Sequence, residues 1–151
     1  MTETMRTAAP IERIRLAVAG KAPVAPIAKL LGMGITAVDP GRSVIEMDAG
    51  PAHHNPMGTV HGGVLCDLAD TAMGMCYAST LAAGETFTTL ELKINFLKPV
   101  FQSHLRAEGL MLRPGRTVGL VECKVTDEEG SLVAHATSTC MTLRGDSAKG
   151  R

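Results

Sequence analysis

The sequence predicts an α+β domain in which an antiparallel sheet lies against one long central helix. Three observations carry this expectation. A Pro-free stretch after Gly63 repeats apolar residues at helical spacing (Val64, Leu65, Leu68, Ala69, Ala72, Met73, Met75 and Cys76), a hairpin signal precedes it, and four strand-like segments follow it with no second long helix among them.

Taken in order, residues 11–19 place Ile11, Ile14, Leu16, Ala17 and Val18 among Glu12, Arg13 and Arg15, the pattern of a short amphipathic helix closed by Gly20. A second short helix starts on Pro26, a residue suited to the first helical position, and ends at Gly32. The period then changes to two: Ile35 to Val38, the turn Asp39-Pro40-Gly41, and Ser43 to Asp48 read as a hairpin. Beyond the long helix, strands are expected over Thr86 to Leu97, Ser103 to Leu112, Thr117 to Thr126 and Ser131 to Leu143, each bounded by Pro, Gly or acidic turn residues. In the first of them Leu90, Leu92, Ile94 and Phe96 alternate with Glu91, Lys93 and Asn95, which predicts one buried face. The expected partition is an N-terminal helical segment over 1–32, a sheet-and-helix domain over 33–143, and a frayed polar tail over 144–151.

Composition narrows the function. Fifteen Lys and Arg balance fifteen Asp and Glu, so no net field draws the chain to nucleic acid or an anionic membrane. Aromatics make up 3% of residues and Trp is absent, a poor endowment for stacking bases. Cys66, Cys76, Cys123 and Cys140 form no Cys-x-x-Cys pair and sit among apolar neighbours, as small core residues in a reducing compartment do. With no apolar run near Met1 long enough for a leader or a membrane span, a cytoplasmic protein is expected.

The stretch from Asn55 to Gly74 carries the chemistry. Gly63, Asp67, Asp70 and Gly74 recur at one helical face, where two acids and two positions without side chains suggest a crevice or a subunit seam. A helix beginning near His61 or Gly62 points unpaired N–H groups out of its N-terminus, and Gly62 and Gly63 let a ligand approach them. Such donors can stabilise the oxyanion of an attacked carbonyl, by roughly 3 kcal/mol each, which suits acyl transfer or hydrolysis. Asp70 lies roughly 10 Å further along the same helix, too far to act on a carbonyl held there, so a two-fold partner helix would have to supply it. Exposed sheet edges and an uncovered helix face also favour pairing with a second copy.

Blander readings stand beside these. Asp70 alone could be a structural acid, Asp67 a group bonded to backbone or water, and His61 a helix cap. His53, His54 and His61 have no Cys or carboxylate joining them at ligand spacing, so no metal is expected. Nothing beside Cys66 would lower its pKa, and a packed thiol is expected rather than a nucleophile. Arg113 and Arg116 flank a Pro-Gly turn, where charges are commonly just solvated. Nine methionines fill space adaptably, and some could line an acyl tunnel.

The combination Asn55-x5-His61-Gly62-Gly63, Leu68-Ala69-Asp70-Thr71-Ala72 and Ile94-Asn95-Phe96-Leu97-Lys98-Pro99 resembles the hotdog-fold acyl-CoA thioesterases of the phenylacetate-degradation and hydroxybenzoyl-CoA type, over about residues 30–143. The resemblance implies a hotdog fold and hydrolysis of an acyl- or aryl-CoA thioester, with coenzyme A as part of the substrate and no separate cofactor. It implies Asp70 as nucleophile or general base, Gly62 as oxyanion donor with Gly63 beside it, His61 and Asn55 ordering the oxyanion loop and substrate, and Thr89 helping to hold the attacking water. CoA phosphates would meet Lys98, Arg113 and Arg116 across a subunit interface in a homotetramer built as a dimer of dimers. The rivals are a hotdog hydratase or dehydratase and a non-catalytic acyl-CoA-binding protein.

Overall fold

The computed structural model describes residues 8–149; the stretch 1–7, read above for a leader, and the last two residues of the tail lie outside it. Helix α1 spans Pro10–Val18 and α2 spans Pro26–Leu31, each with proline in its first turn, and α2 stops on Gly32 in the left-handed region at φ 70°. Strands β1 (Met33–Asp39) and β2 (Arg42–Ala49) form the expected hairpin, and a 3-10 turn at Pro51–His53 leads into the Gly-rich loop. Helix α3 runs over Gly62–Ala78. After it come β3 (Thr86–Phe96), β4 (Ser103–Arg113), β5 (Val118–Thr126), β6 (Leu132–Leu143) and a 3-10 turn at Gly145–Ala148.

The six strands form one antiparallel sheet in the order β1-β2-β4-β5-β6-β3. The chain leaves α3 at one edge of the sheet as β3, and the β4–β5–β6 meander fills the space back to the hairpin. Leu65, Leu68, Ala69, Ala72, Met73 and Cys76 of α3 bury against Ile45, Met47, Leu105, Ala107, Val121 and Cys123 of the sheet. Among the described residues, no helix is long and apolar enough to cross a membrane.

The helix sinks onto the sheet where side chains vanish. A Cβ on Gly109 of β4 would stand 2.6 Å from the Ala72 carbonyl oxygen, so backbone meets backbone there. The buried Ser43 hydroxyl donates to that same carbonyl at 2.6 Å. At the other end of α3, Tyr77 shares a 2.8 Å hydrogen bond with Thr142 and packs its ring 5.4 Å from that of Phe87. The Phe87 ring also explains Gly74: a Cβ there would sit 3.2 Å from Phe87 Cζ. Gly74 is therefore buried by its own chain, which corrects its expected place at a seam.

A second correction concerns β3. Its apolar stripe does not bury as one face. Pairing with β6 slips between Thr89 and Glu91, so Leu90 is an extra residue and the phase of the strand reverses across it. Phe87 on one side of the slip and Leu92 and Ile94 on the other all pack on the core, while Leu90 is 51% and Phe96 54% exposed. β3 is an edge strand, and its outer side carries no pairing partner among the described residues.

Gly109→Ala is expected to destabilise the fold by about 1–3 kcal/mol through overpacking against Ala72, since a backbone carbonyl cannot rotate away as a side chain can. Denaturant unfolding of the variant against the parent chain measures this, and an unchanged midpoint would refute the close approach.

Candidate active site

The loop from Asn55 to His61 is built by local hydrogen bonds. Asn55 Oδ1 accepts from the N–H groups of Met57 (2.9 Å) and Thr59 (3.3 Å), its Nδ2 donates to Thr59 Oγ1 at 3.0 Å, and its backbone N–H donates to the Thr59 carbonyl at 2.8 Å. This side chain is committed to ordering the loop. Val60 N–H donates to the Val100 carbonyl at 2.8 Å and the His54 ring meets the Phe101 carbonyl at 2.6 Å, so the loop is clamped against the β3–β4 connection. His53 bridges the Gly50 amide and the Leu31 carbonyl, each at 3.2 Å, which ties α2 to the same loop.

His61 caps α3. Its Nδ1 accepts the Gly63 N–H at 2.9 Å and its carbonyl accepts the Val64 N–H at 3.0 Å. Because Nδ1 accepts, the proton of a neutral ring lies on Nε2. The cap consumes the Gly63 amide. The Gly62 N–H has no partner among the described residues, so of the two glycines Gly62 is the one with a donor to offer. The Phe96 ring lies over it: a Cβ on Gly62 would stand 3.0 Å from Phe96 Cζ. The sequence reading placed Phe96 in a motif without giving it this position.

Asp70 lies two helical turns on, exposed in the single chain. Thr89 Oγ1 donates to its Oδ1 at 3.2 Å, so the structure joins these two candidates, one from α3 and one from β3. The surroundings push the Asp70 carboxyl above the usual range, first through partial burial and next through the Asp67 charge, with the Thr89 hydrogen bond acting in the opposite direction. An open residue surface and a crowded carboxyl coexist here because the acid group leans toward β3. The same pair of acids, after burial, raises the Cys66 thiol, and burial drives Cys76 and Cys123 up to about 12; all four cysteines are free. None has the electropositive setting of a nucleophilic thiolate.

The candidate cations divide. Lys98 is paired with Asp127 at 2.5 Å and lies 3.7 Å from Glu129, whereas exposed Arg113 and Arg116 have no ion pair among the described residues. Gly62 and Asp70 sit on one α3, about 12 Å apart by helical rise, so no single chain brings both to one carbonyl. Asp67 is exposed without a hydrogen-bond partner among the described residues.

Against known proteins, the model of the family described as the thioesterase superfamily matches residues 57–134. An inferred esterase of Saccharolobus solfataricus is 34% identical over 118 residues, covering 78% of this chain and 84% of that protein. The acyl-coenzyme A thioesterase PaaI of Escherichia coli K12 is 32% identical over 109 residues, covering 71% of this chain and 75% of its own. Among solved structures, a phenylacetic acid degradation-related protein from Ralstonia eutropha JMP134 superposes with a TM-score of 0.78 at 37% identity, over 85% of this chain and 98% of that one. The sheet and its packed helix form the hotdog fold.

Asp70→Asn is expected to raise the melting temperature at neutral pH. An acid whose folded pKa is raised is penalised when ionised, so the gain is full above that raised value and fades as pH falls through the carboxylate range, where both states of the parent become protonated. Melting curves of the two proteins from about pH 7 down to about pH 3 measure the effect.

Proposed function

The chain belongs to the thioesterase superfamily, and from that premise we propose that it hydrolyses an acyl- or aryl-CoA thioester to the free acid and CoA, with Asp70 of one protomer acting on a carbonyl held at Gly62 of a second copy. Thioester hydrolysis is the activity of the family. The observation that carries the assignment of residues is the unpartnered Gly62 amide at the start of an apolar helix, in a chain whose only candidate acid on that helix face besides Asp67 is held by a hydroxyl about 12 Å away.

The Gly62 N–H donates to the thioester carbonyl oxygen and stabilises the negative charge that develops there. His61 fixes the direction of that amide by capping α3, and Asn55 fixes the loop that leads into it. Asp70, partly desolvated and oriented by Thr89, either takes a proton from the water that adds to the carbonyl carbon and returns it to the departing CoA sulfur, or attacks the carbon itself, expelling CoA thiolate that takes a proton from water, and a second water then hydrolyses the mixed anhydride to the free acid. The free edge of β3, with exposed Leu90, suits antiparallel pairing with β3 of a second copy, which runs the two α3 helices in opposite directions and carries each Asp70 toward the other's Gly62. Of the three candidate cations, Arg113 and Arg116 have no ion pair among the described residues and are open to CoA phosphates, while Lys98 is held by acids.

Release of CoA thiol from a panel of CoA thioesters tests the activity. Asp70→Ala and Asp70→Asn are expected to lose about 10²–10⁴ in kcat; full turnover in either would refute the role of this acid. Gly62→Pro tests the donor. Proline is at home at the first position of a helix, and His61 already has the extended backbone (φ −62°, ψ 134°) that a following proline requires. The variant is expected to fold once the exposed Phe96 ring shifts off the new Cβ, and to lose about 10²–10³ in kcat because the N–H is gone.

A further inference from the structure

The slip in β3 falls between the two residues that matter most on that strand. Thr89 contacts Asp70, and Leu90 is the inserted residue that follows it. An extra residue interrupts the regular ladder, bends the strand and re-aims the neighbouring side chain, and it persists only where something holds it. Here the holder is visible. Ser138 of β6 is fully buried, stands opposite Leu92 in the register, and donates its hydroxyl to the Glu91 carbonyl at 2.7 Å, the first carbonyl after the inserted residue. Its Oγ also lies 3.9 Å from the Cys140 sulfur, and Cys140 is the direct register partner of Thr89.

We infer that Ser138 is a positioning residue: its buried hydroxyl pins the Glu91 carbonyl, fixes the extra residue at Leu90, and so keeps Thr89 Oγ1 on the Asp70 carboxylate. A buried Ser in a core strand otherwise weakens packing relative to Ala or Val, and the neighbouring inward positions of β6 are Ala136 and Cys140. The hydroxyl gives the Glu91 carbonyl, next to the slip, a buried donor. A continuous period-two strand would put Thr89 and Leu92 on opposite faces; the extra residue lets both point toward the helix.

The groups that face Asp70 are few. Asp67 and Cys66 come from its own helix, Thr89 from β3 and Cys140 from β6, and among the described residues no Lys or Arg contributes. The Thr89 hydroxyl is therefore the one group found to favour the ionised carboxylate, and loosening it leaves burial and Asp67 unopposed.

The inference rests on the reading of Asp70 given above for its consequence in catalysis, but the contact itself is measurable without turnover. Carbon-13 titration of the Asp70 carboxyl in the full chain, assigned with Asp70→Asn, reads it directly. In Ser138→Ala the carboxyl is expected to titrate at higher pH than in the parent, in the same direction as in Thr89→Val and no further. The double variant should match Thr89→Val alone, and Ser138→Thr, which keeps the hydroxyl, should match the parent. The acidic limb of kcat/KM should move to higher pH in Ser138→Ala, with activity recovered at alkaline pH. An unmoved Asp70 titration in Ser138→Ala, additive shifts in the double variant, or a Ser138→Thr shift as large as that of Ser138→Ala would each overturn the inference. Full turnover by Asp70→Asn with the titrations as expected would instead refute the catalytic reading and leave the positioning intact.

Discussion

The contact of bare backbone between α3 and β4 sets the positions of everything else. Where Gly109 meets the Ala72 carbonyl, nothing but a missing side chain lets the helix lie so close, and the Ser43 hydroxyl supplies the oxygen with a donor in the same place. This depth brings Leu65, Leu68 and Met73 into the sheet and leaves Asp67 exposed and Asp70 at the margin of the helix–sheet contact, its carboxyl against Thr89 of β3. The helix is thus a rod with two points that the proposed chemistry would use. One is its start, prepared by the His61 cap; the other is Asp70, met from the side by β3.

Each working point is held by a different kind of force. The start of α3 depends on a web of short-range hydrogen bonds within residues 53–63, which leaves one amide over. Asp70 depends on tertiary placement. Burial and the Asp67 charge oppose its ionisation and a single hydroxyl supports it, so the acid is kept in a costly state that only surrounding packing makes tolerable.

Much of the architecture was legible in the residues because local signals and tertiary fold agree. Pro26 and Gly32 bracket α2 as their backbone preferences dictate, the turn at Asp39-Pro40-Gly41 makes the hairpin, and the apolar period after Gly63 is the buried stripe of α3. The site was legible in part. His61 and Asn55 act within a few residues of themselves, so both the capping and the loop-ordering readings of them are visible in the hydrogen bonds. Three things were not legible. Gly74 looked like a place for a ligand and instead admits Phe87, a residue distant in sequence. Lys98 was a candidate for phosphate on its charge alone, and its engagement by Asp127, from another turn, had no signal in the sequence. The stripe through Leu90 to Phe96 looked continuous, although Phe87 and Leu92 cannot share a face at period two, and that conflict was the one trace of the slip in the sequence itself.

The outward residue at that slip has a wider meaning. Leu90 belongs to neither the core nor the Thr89–Asp70 pair, yet it stands on the outer edge of the sheet immediately beside them. Under the proposed pairing of β3 edges, substitution there would alter the seam between copies and with it how each Asp70 reaches the other's Gly62. One codon at the bulge would then tune assembly and turnover together.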